Sequence, residues 1–533
     1  MQGVTQDVED LLAAKKTTNS FDVLIVGAGV VGCAIARELA RYRARVLVLD
    51  MGNDVATGAS KANSGIVHGG YDEKHGTLKS KLARPGNQSF AQLNRELHFG
   101  FRVAGSLVVA FNDEERQGLE ALLLNGQKNG VQGLRIVDQA ELRRLEPHIS
   151  PQAKYALHCP HTGITSPYEY AIALAENAIA NGVDFRLRHR VTDIRKPVTP
   201  SGSFTIHAEE TKHRAGFDNE PPLKAKKLFT AHVVINCAGL YSDRVAAMVG
   251  AADFNILPRK GEYLVLEKTQ AEMARHVLFP VPNKVFGKGV LVSQTYWGNL
   301  LLGPTSREPG DHRTNIQVLQ EIIRNGHRLV PDVDVRKVIT SYSGNRAKCD
   351  RGDFIVEESS VPRFINCAGI DSPGLTSSPA VARRVLDILK SKSAQPFQLQ
   401  EKLEGAFQPQ REPIVKSKEN FVGSIDNPDP VKNIICRCER ITEAEIVDAL
   451  YRPLSSPSVT SIKRRTRAGM GVCQGKFCQE RVIEVIAKEM GISKEEVPGL
   501  EPGSSVLPHR RPTEEDKALL ASLDPNPEDK SKL

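Results

Sequence analysis

Gly27-Ala28-Gly29-Val30-Val31-Gly32 constrains this chain more than any other stretch, because each of its glycines meets a different steric demand of one structure. The apolar run 21–26 before it reads as a strand. Residues 31–42 after it have helical spacing, and a second strand reads at 45–50. Strand, glycine turn, helix and strand in that order open a parallel sheet of the α/β class. Gly27 permits the tight turn, Gly29 lets the backbone approach a pyrophosphate, and Gly32 lets helix and strand pack closely. The helix start offers N–H groups and a positive dipole end to phosphate. Asp50 closes the second strand, where it can accept hydrogen bonds from a ribose diol. These features predict a dinucleotide site, without separating FAD from NAD.

A chain of 533 residues has room for several domains, or for one large and one small. Hydrophobic residues at 40% and charged residues at 25% are ordinary globular usage, which excludes a mostly disordered chain. No apolar run reaches the ~18–20 residues of a membrane helix, so no transmembrane segment is expected. The net charge of +8 favours acidic small molecules. With one Trp and no basic stripe interleaved with aromatics, it does not argue for nucleic acid. Residues 1–19 read as a polar leader without the apolar core of a secretory signal. Residues 90–150 read as largely helical, interrupted by a turn-rich stretch at 100–105. Residues 170–181 read as helix and 184–194 as strand. VINCAG at 234–239 and FINCAG at 364–369 echo each other, each an apolar strand running into a small-residue turn. Both are expected in the nucleotide-binding sheet. The strand-rich region 255–345 is expected to insert an antiparallel sheet, and a helix at 380–390 to close the domain. Residues 396–432, with five prolines, read as a linker, 433–492 as a small cysteine-bearing unit, and 493–533 as a flexible tail.

The small polar segment 57–65 and the following Asn63-Ser64-Gly65-Ile66-Val67-His68-Gly69-Gly70-Tyr71, together with INCAGLYSD, PRKGEYLVL and INCAGIDSPGLTSSPA, occur in one order over about residues 20–395. In this the chain resembles FAD-dependent oxidoreductases of the glycerol-3-phosphate dehydrogenase and L-2-hydroxyglutarate oxidase type, built on the amino-acid-oxidase fold. The resemblance implies a Rossmann-like FAD-binding domain with an inserted antiparallel-sheet substrate domain. It implies that FAD is held by Gly27, Gly29, Gly32 and Asp50, by Ser60, Asn63 and Ser64, by the backbone of Val191 at the adenine, and by Ala238 and Gly239 at the pyrophosphate. Gly369, Gly374, Leu375 and Thr376 are implied beside the flavin ring, where N–H donors stabilise charge on the reduced ring. The implied chemistry is oxidation of an anionic secondary alcohol, with sn-glycerol 3-phosphate first and L-2-hydroxyglutarate or another 2-hydroxy acid as the alternative. Amino-acid oxidation and a pure electron-transfer subunit are further alternatives. His68 is the expected base, since imidazole titrates near working pH. Arg346, in a GxR element followed by Ala rather than the family's usual Pro, is the expected substrate clamp. Arg259 and Tyr263 flank Gly261 on the same site.

Of nine cysteines, four are bunched as Cys436-x-Cys438 and Cys473-x4-Cys478, with 34 residues between the pairs. Four thiolates in two close pairs can hold zinc or a 2Fe-2S cluster, and CxC with Cx4C departs from the CxxC knuckles of zinc. CRCERITEAEI and KRRTRAGMGVCQGKFC resemble the bacterioferritin-associated-ferredoxin-like 2Fe-2S domain, a small α-rich unit often fused to such flavoproteins. That implies Cys436, Cys438, Cys473 and Cys478 as cluster ligands, with electrons passing outward to an acceptor the sequence does not name. Lys463, Arg464, Arg465 and Arg467 are expected near this anionic centre. The terminal Ser531-Lys532-Leu533 matches the address read by the peroxisomal import receptor, so a peroxisome or glycosome is expected, with the cytoplasm as alternative.

Overall fold

The computed structural model describes residues 19–210, 226–282, 289–308, 316–391, 398–454 and 456–497. The leader up to residue 18, and Ser531, Lys532 and Leu533, lie outside the described residues.

The strand Ser20–Val26 alternates between two apolar layers. Val23 and Ile25 enter one core and Phe21, Leu24 and Val26 the other. A strand apolar on both faces belongs inside a sheet covered on both sides, and its parallel neighbours are Val46–Leu49 and Lys226–Asn236. The helices Val30–Leu39, Pro167–Ala180 and Gly374–Lys390 cover one face. The two echoed segments are adjacent parallel strands in matching register, Val234 opposite Phe364 and Asn236 opposite Asn366. Their expected place in the nucleotide sheet is therefore correct.

The second sheet also has eight strands and mixes two stretches of chain. Its longest pair, Ile256–Leu266 and Val338–Cys349, runs antiparallel from Ile256 opposite Cys349 to Leu266 opposite Val338. The sheet is not purely antiparallel, since Val277–Pro280 lies parallel to Ser106–Ala110. That strand also corrects the helical expectation for 90–150. The helix Leu78–Leu97 starts earlier, and 101–110 forms two strands. The strand expected over 184–194 breaks into Asp184–Arg186 and His189–Arg195 around Arg188, whose φ is 59°. The closing helix starts at Gly374, six residues before the expected 380.

The expected linker is bound to the first domain over its described residues. Lys402 N–H donates to the Arg41 carbonyl, Asn177 Nδ2 to the Gln408 carbonyl, and Arg411 Nε to Glu176 at 2.6 Å. Phe407 lies beneath Arg41, 4.2 Å from ring centre to guanidinium. The cysteine unit has its own small core of Ile446, Ile462, Val482 and Ile486 between three helices. Val497 is buried in that core, so the unit runs past the expected boundary at 492. Among the described residues, no helix is long and apolar enough to cross a membrane.

Candidate functional site

The glycine turn has the form its sequence demands. Gly27 has φ of 108°, and a Cβ there would collide with the Cys237 carbonyl. A Cβ at Gly32 would collide with the Gly27 carbonyl. The helix that follows has neither a side-chain cap nor an acidic residue in its first turn. Its outermost amides are thus left to a ligand and to Ser60, whose Oγ accepts from Val30 N–H at 2.9 Å, beside Gly29. Asp50 accepts from Ala28 N–H at 2.6 Å and Gly52 N–H at 2.7 Å. Burial pushes its carboxyl above the ordinary range, against those two donors. His189 N–H donates to the Asp50 carbonyl, which brings the strand of Val191 alongside. Ala238 and Gly239 follow Cys237 against Gly27, and Gly239 and Gly369 end their strands at φ of 56° and 63°. Between those ends, Asn236 Nδ2 donates to Asn366 Oδ1 at 2.9 Å, locking the two echoed turns together. This cradle of small residues and outward amides fits a dinucleotide laid against backbone.

The loop after it joins the cradle to the second sheet. Asn63 Nδ2 donates to the carbonyls of Ala59 and Ser60, and its Oδ1 accepts from Gly65 N–H at 2.9 Å, so the loop folds tightly around half-buried Ser64. Tyr342 Oη donates to the Asn63 carbonyl at 2.8 Å, and Tyr342 stacks on Tyr263 at 4.6 Å. A Cβ at Gly344 would strike the Ala62 carbonyl, so only glycine lets this strand close on the loop. Arg346 lies over Gly261 and donates to the Thr305 carbonyl at 3.0 Å. Burial raises the Tyr263 hydroxyl, and the adjacent Arg346 charge opposes the rise.

His68 is buried five residues beyond Asn63. Its backbone N–H donates to Thr376 Oγ1 at 2.8 Å, which fastens the loop to the first turn of Gly374–Lys390 beside Leu375. Two groups meet its Nδ1: Gly70 N–H at 3.0 Å and Asp72 Oδ1 at 3.3 Å. They favour opposite tautomers. With a proton on Nδ1, the ring faces the carboxylate and Nε2 keeps its lone pair. With Nδ1 bare, it accepts from Gly70 and Nε2 carries the proton. Each neutral tautomer of the ring thus has a partner at Nδ1.

The loop 59–68 therefore carries His68, is fastened to Thr376, and packs against the strand of Tyr342, Gly344 and Arg346. Arg259 is placed otherwise, despite lying opposite Arg346 in register. Its guanidinium pairs with Glu308 and donates to the Ser306 carbonyl. Tyr342 escaped the sequence reading, because its partner is known only once strand register is known.

In the small domain, Cys438 and Cys473 lie 3.6 Å apart between sulfurs, and Cys436 and Cys478 share a hydrogen bond. That bond pulls the Cys436 thiol down to about 6 and pushes Cys478 up. Each cysteine loop brings one thiol to each pair, and two pairs supply the four thiolates a 2Fe-2S cluster takes. A Cβ at Gly471 would strike Cys438, so the loop closes only with glycine there. Of the basic run, Lys463 feels the Cys478 charge, but Arg464 and Arg465 turn away to Asp54 of the first domain. Arg467 pairs with Glu439 at 3.0 Å and lies over Trp297. The expectation of four cations near the cluster is thus corrected for Arg464 and Arg465, because a buried carboxylate of the first domain claims their guanidinium groups.

The same interface brings Tyr168 Oη to Met470 Sδ at 3.3 Å and Trp297 Nε1 to Glu169 at 2.9 Å. Burial pushes the Glu169 carboxyl up to about 7, opposed by Arg467 and by the Trp297 hydrogen bond. From its ordinary 4.5 up to 7, the folded protein holds a proton that the unfolded chain has released. This group therefore lowers stability as pH rises through that window. Glu169→Gln keeps an acceptor for Trp297 without ionising. Its melting temperature is expected to stay near the parent's at pH 5 and to lie several degrees higher at pH 8. An equal difference at both pH values would refute this reading.

Residues 22–388 match the family model of the FAD dependent oxidoreductases, and residues 434–488 match that of the BFD-like 2Fe-2S binding domain. The chain is 41% identical over 495 residues to a glycerol 3-phosphate dehydrogenase of Caloramator mitchellensis, covering 91% of this chain and 98% of that one. It is 32% identical over 382 residues to a glycerol 3-phosphate oxidase of Mycoplasma genitalium, covering 70% and 95%. Among solved structures it resembles the dithionite-reduced L-α-glycerophosphate oxidase of Mycoplasma pneumoniae with FAD bound. That match has 29% identity and a TM-score of 0.65, over 74% of this chain and 98% of that one.

Proposed function

Since the chain belongs to the FAD dependent oxidoreductase family and carries a BFD-like 2Fe-2S domain, we propose that it is a glycerol-3-phosphate dehydrogenase. It oxidises the secondary hydroxyl of sn-glycerol 3-phosphate, giving dihydroxyacetone phosphate, and passes the electrons through FAD and the cluster. The observation that carries this is Arg346, held over Gly261 on the strand that closes against the loop of His68. A planar guanidinium forks onto phosphate oxygens, which fixes the substrate's anionic end. Tyr263 lies beside it as a buried hydroxyl donor. His68, with its Nδ1 proton turned to Asp72, takes the hydroxyl proton on Nε2. Burial of the ring keeps bulk water from competing for that proton.

The glycine turn, Asp50 and Ser60 would hold FAD, which when bound would supply the acceptor for the carbon-bound hydrogen. Cys436, Cys438, Cys473 and Cys478 would hold the 2Fe-2S cluster, which would supply a one-electron outlet. Anaerobic addition of glycerol 3-phosphate to the yellow protein is expected to bleach the flavin. Bleaching by 2-hydroxy acids or amino acids alone would overturn the substrate assignment.

Ser531-Lys532-Leu533 supports placing this chemistry in a peroxisome or glycosome. An amino-terminally tagged chain is expected to enter that organelle and to stay cytoplasmic when the tripeptide is deleted. Equal distribution of the two forms would refute it.

A further inference from the structure

The deepest contact between the two domains is made by Asp54, four residues past the ribose acid Asp50. Its carboxylate is 1% exposed and receives Arg465 in a two-pronged contact, Nη1 to Oδ2 at 2.6 Å and Nη2 to Oδ1 at 3.0 Å. Arg464 Nη2 at 3.0 Å and Ser461 Oγ at 3.2 Å complete it. All three donors stand on one helix of the iron–sulfur domain, Val459–Thr466. Among the described residues, both charged partners of Asp54 come from that domain. Burial alone would push this carboxyl up, yet Arg465 and Arg464 together hold it below its ordinary range.

Asp54 is also wired to the nucleotide turn. Two residues on, Ala56 takes φ of 56°, a left-handed conformation that costs a residue with a side chain. In that conformation its N–H donates to the Ala28 carbonyl at 2.9 Å. The N–H of Ala28 in turn donates to Asp50. On the near side of the loop, Gly52 N–H also donates to Asp50, and the Gly52 carbonyl accepts from Arg188 N–H. Loop 50–56 is thus fastened to the dinucleotide cradle at both ends and to the iron–sulfur helix in the middle. A buried carboxylate stripped of its cations must move to water. That movement would draw Ala56 off Ala28 and loosen the turn.

We infer that docking of the iron–sulfur domain completes the FAD site, with Arg465 and Arg464 acting as positioning residues through Asp54. Coupling of this kind is reciprocal, so bound FAD also holds the domains together. The inference rests on the reading that the glycine turn holds FAD.

The test uses the full chain loaded with FAD and cluster, then freed of flavin and titrated with FAD by flavin fluorescence. Arg465→Met keeps the side-chain volume and removes the charge. Its FAD dissociation constant is expected to rise at least tenfold at unchanged iron content. In Asp54→Asn combined with Arg465→Met the loss is expected to be smaller than the sum of the single losses, which general loosening would not produce. An Arg465→Met protein with parental FAD affinity overturns the inference. If that variant does not fold, hydrogen exchange at 459–466 of the parent decides. Slowing on FAD addition supports the coupling, and unchanged exchange overturns it. A parent that binds no FAD overturns instead the reading on which the inference rests.

Discussion

His68→Asn is expected to retain FAD and to lower kcat for glycerol 3-phosphate by about 10²–10⁴-fold, the usual worth of a positioned general base. The choice of Asn matters. Its amide places a hydrogen-bonding group where Nδ1 now meets Gly70 N–H and Asp72, so the loop keeps its local contacts. The backbone N–H that fastens the loop to Thr376 is untouched by any side-chain change. What disappears is Nε2, the nitrogen proposed to take the substrate proton. The loss should therefore fall on the rate of anaerobic flavin bleaching at saturating substrate, with KM little changed. A bleaching rate within about threefold of the parent's would remove His68 from the chemistry, because a base worth so little is not a base.

Arg346→Met should act on the other half of the constant. A hydrogen bond to a charged group is worth about 1.5–3 kcal/mol, so kcat/KM is expected to fall by about 10- to 100-fold, mostly through KM. Arg346→Lys should recover only part of this, since an ammonium offers a point charge where the guanidinium offers a fork. The local fold tolerates the change. Arg346 donates to the Thr305 carbonyl and lies beside the Tyr263 hydroxyl, and the space above Gly261 that it fills suits an unbranched Met. Initial rates across a range of glycerol 3-phosphate concentrations, with a neutral polyol as comparison, check the assignment. If KM for the phosphate ester does not move, the clamp lies elsewhere.

Much of the first domain was legible along the chain because its chemistry is local. Gly27, Gly29 and Gly32 act within a single turn, and Asp50 stands at the end of the next strand. The same holds for the cysteines. CxC and Cx4C sit on short loops, and the thiols that share a pair come one from each loop. The helix expected over 90–150 failed for the opposite reason. Ser106–Ala110 is strand only because Val277–Pro280 and Tyr155–Cys159, far away in sequence, lie on either side of it. Arg346 is the clamp the sequence suggests, and Arg259 is expected on the same site. Their neighbours separated them, since Glu308 claims one guanidinium and the loop of Asn63 lies beneath the strand of the other.

Nothing near Asp54 distinguishes it in the sequence from any loop acid, and Lys463 to Arg467 read as one basic run. Only tertiary contact divides that run, because a buried carboxylate must find a cation and the nearest ones are on the other domain. The sequence by itself determined that this protein grips a dinucleotide by main-chain amides and holds four thiols in two pairs, since those properties depend on spacing over a few residues. The tertiary structure decided which arginine a carboxylate claims, which tyrosines stack and how the two domains meet, since those depend on strand register and on which charges share a space without water.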